Sequence, residues 1–272
     1  CLLSYTGGHM LNYSVIIYAQ EVLGSDWLSG VGFALCFGPP LLLGWWAGVL
    51  CDRISPVRLI HFAQISLFAS AAVLLAGETL LDTNTLRTLA VLSAGLLAGI
   101  GWSFVAPARM TALAQLVAPQ NLPRATLLLN LLVLSGFGLG PVCISALRVS
   151  FGWVAVFVVA GSLFVISSLL LLPIAGKASH KMHASVMEEV KEGLRAVRAS
   201  PLLSQLLLAA IFGYIMMGPM QVMLPKFAIQ QLGMSEMARG SLLGTLAPSL
   251  IAGGVAAMIL ARHIPNGAAI LI

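Results

Sequence analysis

The feature that most constrains this sequence is the recurrence of apolar runs of roughly 18 to 24 residues from one end to the other. A bilayer hydrocarbon core about 30 Å thick needs close to 20 such residues per helical crossing, so each run has the length of a span. A single run could act as a signal peptide; a series cannot. A membrane β-barrel would require alternating apolar and polar segments of about ten residues, and that period is absent. Backbone in lipid must satisfy its own hydrogen bonds, which leaves helices. Composition agrees, since 59% of the 272 residues are hydrophobic and 8% are charged, against about a quarter charged in soluble domains. The expected fold class is all-α, a polytopic membrane protein.

Polar breaks order the runs. Span one covers residues 1 to 22 and is closed by the turn-forming cluster Leu23-Gly24-Ser25-Asp26. Span two runs from 28 to 50, span three from Pro56 to Gly77, and span four ends at Ala108. After the break at Pro119 to Arg124, span five occupies 125 to 147, and span six follows Gly152 to Pro173. Lys177 to Ser200 concentrates charge and sets Val186, Val190, Leu194 and Val197 on one helical stripe, as in an amphipathic connecting helix. Spans seven (202 to 225) and eight (240 to 261) come next, and a ninth starts after Pro265. This divides the chain into a six-helix part over 1–175, a linker over 176–200 and the beginning of a second helical part over 201–272. The first residue is not Met and a helix begins at once, so an incomplete N-terminus is the economical reading.

Cytoplasmic connections of membrane proteins carry the excess of Lys and Arg. If span one runs outward, Arg53, Arg58, Arg109, Arg124, Lys177, Lys181, Lys191, Arg195, Arg198 and Arg262 fall on the cytoplasmic side, and only Arg87, Arg148, Lys226 and Arg239 on the other. That count predicts a cytoplasmic N-terminus and linker. The net charge of +5 then reads as orientation and contact with anionic membrane lipid, with no nucleic-acid partner. Shifting the chain by 210 positions aligns Gly30 with Gly240, Gly44 with Gly254, Ala47 with Ala257, Leu50 with Leu260 and Ile54 with Ile264. Either this is an internal repeat placing span two over span eight, or it is coincidence among common apolar residues.

The cysteines Cys1, Cys36, Cys51 and Cys143 are scattered, without C-x-x-C or nearby histidines at ligand spacing, and read as apolar packing. Paired midplane carboxylates, a nucleophile elbow and a phosphate loop are also missing from the sequence. The expectation is no enzyme, no catalytic residue, no cofactor and no metal.

Between spans two and three stands Gly48-Val49-Leu50-Cys51-Asp52-Arg53-Ile54-Ser55-Pro56-Val57-Arg58. It resembles the G-x-L-x-D-R-x-x-x-x-R signature of the major facilitator superfamily. Gly48 would let backbones approach, and Asp52 and Arg53 would lie at the water boundary beside a helix end. The resemblance implies a cytoplasmic latch made of Gly48, Asp52, Arg53 and Arg58 that stabilises an outward-open state. Ser55, Pro56 and Val57 replace the usual glycine and basic residues, which predicts a weaker latch; a plain cytoplasmic turn is the alternative. The resemblance also implies two six-helix halves, of which this chain carries about two thirds, with four further spans expected beyond Ile272 and no transport by the piece alone.

Other segments resemble a branch of drug and siderophore exporters that includes the enterobactin exporter and macrolide efflux proteins. They are Pro107-Ala108 closing span four, Leu122 with Ala125 and Asn130, Gly152 with Phe157, and Glu192-Gly193-Leu194-Arg195 before Pro201. Gly136-Phe137-Gly138-Leu139-Gly140-Pro141 is similar to the antiporter motif of the fifth helix, with Ile144-Ser145 in place of its trailing glycines. Gly136, Gly140 and Pro141 would serve either that motif or close packing and a bend. Span four lacks the buried central arginine of many proton-coupled drug antiporters.

Substrate sites in such architectures lie near the midplane. The candidates are Asn12 and Tyr13 in span one, Trp102 in span four, Asn130 in span five, and Met216, Met217, Met220 and Gln221 in span seven. Each polar one would line a cavity or bind a neighbouring helix, and the methionines would form an adaptable wall or fill gaps. Glu21, about one turn from the end of span one, is the candidate for ion coupling, or else snorkels to water. His9 lies deeper and is expected to satisfy a helix neighbour. The resemblance implies alternating-access export of an amphipathic small molecule such as a drug or siderophore, driven by protons, by a monomer in a bacterial inner membrane. A lysophospholipid flippase of the same superfamily is the rival, and a membrane sensor a more distant one.

Overall fold

The computed structural model describes residues 1–174 and 186–260. The described residues are helical throughout: α1 (Leu2–Glu21), α2 (Asp26–Arg53), α3 (Pro56–Leu80), α4 (Asn84–Leu116), α5 (Leu122–Leu171), α6 (Val186–Ala199), α7 (Pro201–Gln230), α8 (Glu236–Gly244) and α9 (Leu246–Leu260). Helix starts follow local chemistry. Ser25, Thr83, Ser200 and Ser235 each accept a hydrogen bond from a backbone N–H in the first turn, and proline opens α3 and α7, where its missing N–H costs nothing.

Five helical stretches are long and apolar enough to cross a membrane: Asp26–Arg53, Pro56–Leu80, Asn84–Leu116, Pro119–Leu171 and Pro201–Gln230. The fourth contains two of the expected spans, because Gly152, at φ 78° and ψ −175°, breaks α5. Contacts along α1 follow the reversal. A Cβ on Gly136 would lie 2.7 Å from the Cβ of Tyr5, and one on Gly140 would lie 3.0 Å from that of His9. The Trp153 ring then meets Tyr18 at 5.3 Å, and beyond it Phe164 returns to Gly7.

Helix α1 is the centre of the assembly, buried from Ser4 to Ala19. That position explains its Ser, Thr, His and Asn, which face protein rather than lipid. Around it, α3 and α4 run antiparallel, tied by Ser66 Oγ to the Leu97 carbonyl (2.7 Å) and Ser70 Oγ to the Ala94 carbonyl (2.8 Å). Lipid offers little hydrophobic drive between helices, so small residues and such polar bridges do the joining. Trp46, Phe62, Ile65, Leu169 and Met216 cover the outside, as a hydrocarbon solvent requires.

Two boundaries differ from the sequence reading. Helix α4 continues through Pro107 to Leu116, so Pro107-Ala108 does not close it; membrane helices tolerate an internal proline where neighbours re-satisfy the backbone. Arg109, counted on a cytoplasmic connection, is therefore inside α4 and only 5% exposed. The eighth span begins at Glu236 and is split at Thr245, as expected when the ring of Pro248 clashes with the carbonyl of residue i−4, Gly244.

Helix α6 forms as an amphipathic segment and lies against α2, with Gly193 near Trp45. Of its apolar stripe, Leu194 is exposed and Val197 half-buried. Lys177, Lys181, Arg262 and the span expected after Pro265 lie outside the described residues.

The turns after α1 and α7 are built alike. After α1, Gly24 adopts φ 63° and Ser25 N–H donates to the Ala19 carbonyl at 3.0 Å; after α7, Gly233 adopts φ 61° and Met234 N–H donates to the Ala228 carbonyl at 3.0 Å. Serine caps with acidic first turns, Ser25-Asp26 and Ser235-Glu236, then open α2 and α8. A left-handed glycine at each turn lets the chain reverse without Cβ strain.

Candidate functional site

Helices α1, α2, α4, α5, α7 and α9 enclose a cavity of about 480 Å³, lined among others by Tyr5, His9, Phe37, Trp102, Phe137 and Met217. Trp102 is its organiser. It lies against Gly8, where a Cβ would come within 2.7 Å of the indole, and its Nε1 donates to Asn12 Oδ1 at 3.1 Å. The His9 ring sits 5.0 Å from Trp102 and 5.0 Å, edge to face, from Phe137, and Tyr13 packs on Phe137 at 5.9 Å.

Both ring nitrogens of His9, Nδ2 of Asn12, the Tyr13 hydroxyl and the Gln221 amide are buried without a protein partner. Each such group costs about 1–3 kcal/mol when left unsatisfied; of these, His9 is on the cavity wall, and Asn12 and Tyr13 are fully buried in the next turn of α1. His9, expected to satisfy a helix neighbour, does not.

The structure thus brings together Asn12, Tyr13 and Trp102 and adds His9, Tyr5 and Phe137. It leaves out others. Asn130 is exposed, and Met216 and Met220 are 71% and 54% exposed on the outer side of α7; the 3.6-residue turn puts Met217, one position on, into the cavity instead. Gln221 is buried but does not line the cavity.

At the α1–α2 loop end, Glu21 of α1 pairs with Arg148 of α5 and with Arg239 of α8, and Arg148 also meets Glu236 of α8 at 2.9 Å. Arg239 is 2% exposed, while the Glu21 side chain is 24% exposed at an otherwise open position. Alongside, Lys226 of α7 pairs with Asp26 of α2, and Gln20 Nε2 donates to the Val222 carbonyl at 2.7 Å. Every one of these contacts except Glu21 to Arg148 joins α1, α2 or α5 to α7 or α8. Glu21 does not snorkel alone; it is the hub of this cluster. The sequence carries no local spacing signal for Arg148, Arg239 and Glu236, because their partners are far away in the chain, 218 positions in the case of Glu21 and Arg239.

Gly136 and Gly140 seat α5 on α1, as described above. Between them, Gly138 faces the other way, where a Cβ would come within 2.5 Å of the Ala247 Cβ and 2.9 Å of the Gly244 carbonyl. Gly240 in turn lies against Ser145, with the Pro141 carbonyl 2.9 Å from its Cβ position. The glycine run therefore packs on two neighbours at once, and the replacement at Ser145 is a contact point for α8.

At the α2–α3 junction, Asp52 at the end of α2 and Arg58 in the first turn of α3 are exposed, and Arg53 is half-buried. Nothing lies within 4 Å of a Cβ on Gly48, so the close backbone approach expected there is not made among the described residues. Cys36 and Cys51 are buried, Cys143 is half-buried, and all the cysteines are free. Among the described residues, no cluster of His, Cys, Asp and Glu has metal-site geometry.

The sequence profile of the Major Facilitator Superfamily matches residues 1–272. No curated protein matches. Among solved structures, the chain is similar to one described as a D-xylose-proton symporter, with a TM-score of 0.66 and 13% identity, covering 97% of this chain and 68% of that one. At that identity the likeness is one of fold.

Proposed function

Because the chain belongs to the Major Facilitator Superfamily, a family of membrane-embedded secondary transporters rather than enzymes, we propose that it exports an amphipathic small molecule by alternating access, driven by protons. The observation that carries this reading is the difference between the two ends of the helix assembly. Ion pairs tie α1, α2 and α5 to α7 and α8 at one end. The cavity, with the unpaired ring nitrogens of His9 on its wall, lies among residues nearer the other. That is the arrangement of a carrier closed on one side of its binding site.

In this reading α1 to α5 form one half, α7 to α9 begin the second, and α6 links them on the cytoplasmic face. The α1–α2 loop end faces outward, in a bacterial inner membrane, and the protein works as a monomer. The coupling ion acts at Glu21, whose carboxylate Arg148 and Arg239 share. When that pairing is broken, Arg148 keeps Glu236 and Arg239 is left without its carboxylate, so the outer clasp loosens and the cavity opens outward. The latch of Gly48, Asp52, Arg53 and Arg58 and the glycines of α5 bias the same equilibrium. Asn12, Tyr13 and Trp102 contact substrate.

The test is transport by the complete protein in proteoliposomes. Amphipathic fluorescent probes should move unaltered against a proton gradient, movement should stop when an ionophore collapses the gradient, and Glu21→Gln should abolish gradient dependence while leaving downhill exchange. Transport indifferent to the gradient in the wild type would remove proton drive, and chemical conversion of the probe would remove the transporter reading.

A further inference from the structure

Trp102, Val105 and Ala106 of α4 line the cavity. Arg109 follows at the i, i+3, i+4, i+7 spacing that keeps residues on one helix face, so it stands one turn beyond them. Its side chain is 5% exposed. The guanidinium stacks on the Tyr5 ring, Cζ to centroid 4.0 Å, and Nη2 donates to Ser4 Oγ at 2.6 Å. Nη1 is buried with no partner, and no carboxylate among the described residues pairs with Arg109. An arginine held this deep without a counter-charge is unfavourable by itself, and its planar fork suits a carboxylate or similar oxyanion.

The ring on which it stacks belongs to the cavity. Tyr5 is also stacked with Trp102 at 6.2 Å, and the His9 and Phe137 rings complete an aromatic wall. None of the cavity-lining residues is acidic.

Resting on the transporter reading of this cavity, we infer that its substrate class is a planar aromatic compound carrying one negative charge, with the ring between Tyr5, Trp102 and Phe137 and the anionic group on Arg109. His9 supplies a hydrogen bond to a polar ring substituent. A permanently cationic aromatic compound is disfavoured by the same arginine.

The rival is that Arg109 only pins α4 to α1 through Ser4 and Tyr5. A charge series on one ring separates the two: 2-naphthoate, neutral 2-naphthamide and cationic 2-naphthylmethylammonium, titrated by calorimetry against the complete protein in phosphatidylcholine nanodiscs. The naphthoate should bind about tenfold or more tighter than the amide, with the cation weakest. Arg109→Gln should bring naphthoate and amide to equal affinity, and Arg109→Lys should keep the preference for the anion.

Equal binding of all probes by the wild type, a preference for the cation, or no binding of any would overturn the assignment. So would an Arg109→Gln protein that weakens the three probes by one common factor. Loss of naphthoate binding when phosphatidylglycerol is added would show a lipid headgroup on Arg109 and overturn the soluble-ligand assignment. Charge-blind binding with intact transport removes this inference alone; charge-selective binding without transport removes the export reading and leaves the site.

Discussion

Glu21 holds two arginines at once, one from α5 and one from α8. Arg239 is the more sensitive partner, at 2% exposed. Breaking a buried pair costs about 3–5 kcal/mol, and partial exposure of the Glu21 side chain lowers that to about 2–3 kcal/mol. Glu21→Gln should therefore raise the population open at the α1–α2 loop end by roughly 30- to 150-fold. Spin labels at the exposed positions Trp27 and Leu232 should report a longer distance in that variant, and an unchanged distribution would contradict the clasp. Trp102 offers a milder probe. Trp102→Phe keeps a ring but leaves Asn12 Oδ1 without its donor, which should destabilise the protein by about 1–2 kcal/mol in thermal unfolding and weaken ligand binding.

Glycines act through the helices they join. Gly138 faces Ala247 and the Gly244 carbonyl, so Gly138→Val must separate α5 from α8 and α9. The expected result is a lower Tm and slower transport, since overpacking costs about 1–3 kcal/mol. Gly30 sits in α2 with nothing within 4 Å of a Cβ, and Gly30→Ala should be neutral or stabilising by up to about 1 kcal/mol. A loss at Gly30 equal to that at Gly138 would contradict this packing account, since helix propensity favours both replacements over glycine. The broken elements follow the same logic: a positive φ at Gly152 turns α5 back along α1, and Pro248 interrupts the hydrogen-bond ladder at Thr245.

For the molecule as a whole, the prediction is a sidedness. Thiol labels introduced at the exposed Asp52 and Arg195 should react from the same side of the membrane, and a label at Trp27 from the opposite side. Asp52 and Arg195 on contrary faces would dismantle the topology. Asp52→Asn should insert normally yet lower transport by the complete protein about tenfold or more, whereas normal efflux would remove the latch role.

Apolar run length was sufficient to specify membrane helices, because a fixed hydrocarbon thickness converts residue count directly into crossings. The motif at Gly48 to Arg58 and the glycines before Pro141 were legible for a similar reason, being contiguous. Asn12, Tyr13 and Trp102 could be nominated as polar groups in apolar surroundings, and Glu21 as a charge near a span end. Which of them meet was decided by tertiary structure alone. In a uniformly apolar helix, sequence carries almost no signal for which face turns inward, so Asn130 and Met220 looked as suitable as Trp102. The burial of Arg109 and the pairing of Glu21 with Arg239 depend on helices distant in the chain packing side by side, a relation set by small-residue contacts and hydrogen bonds rather than by any local pattern.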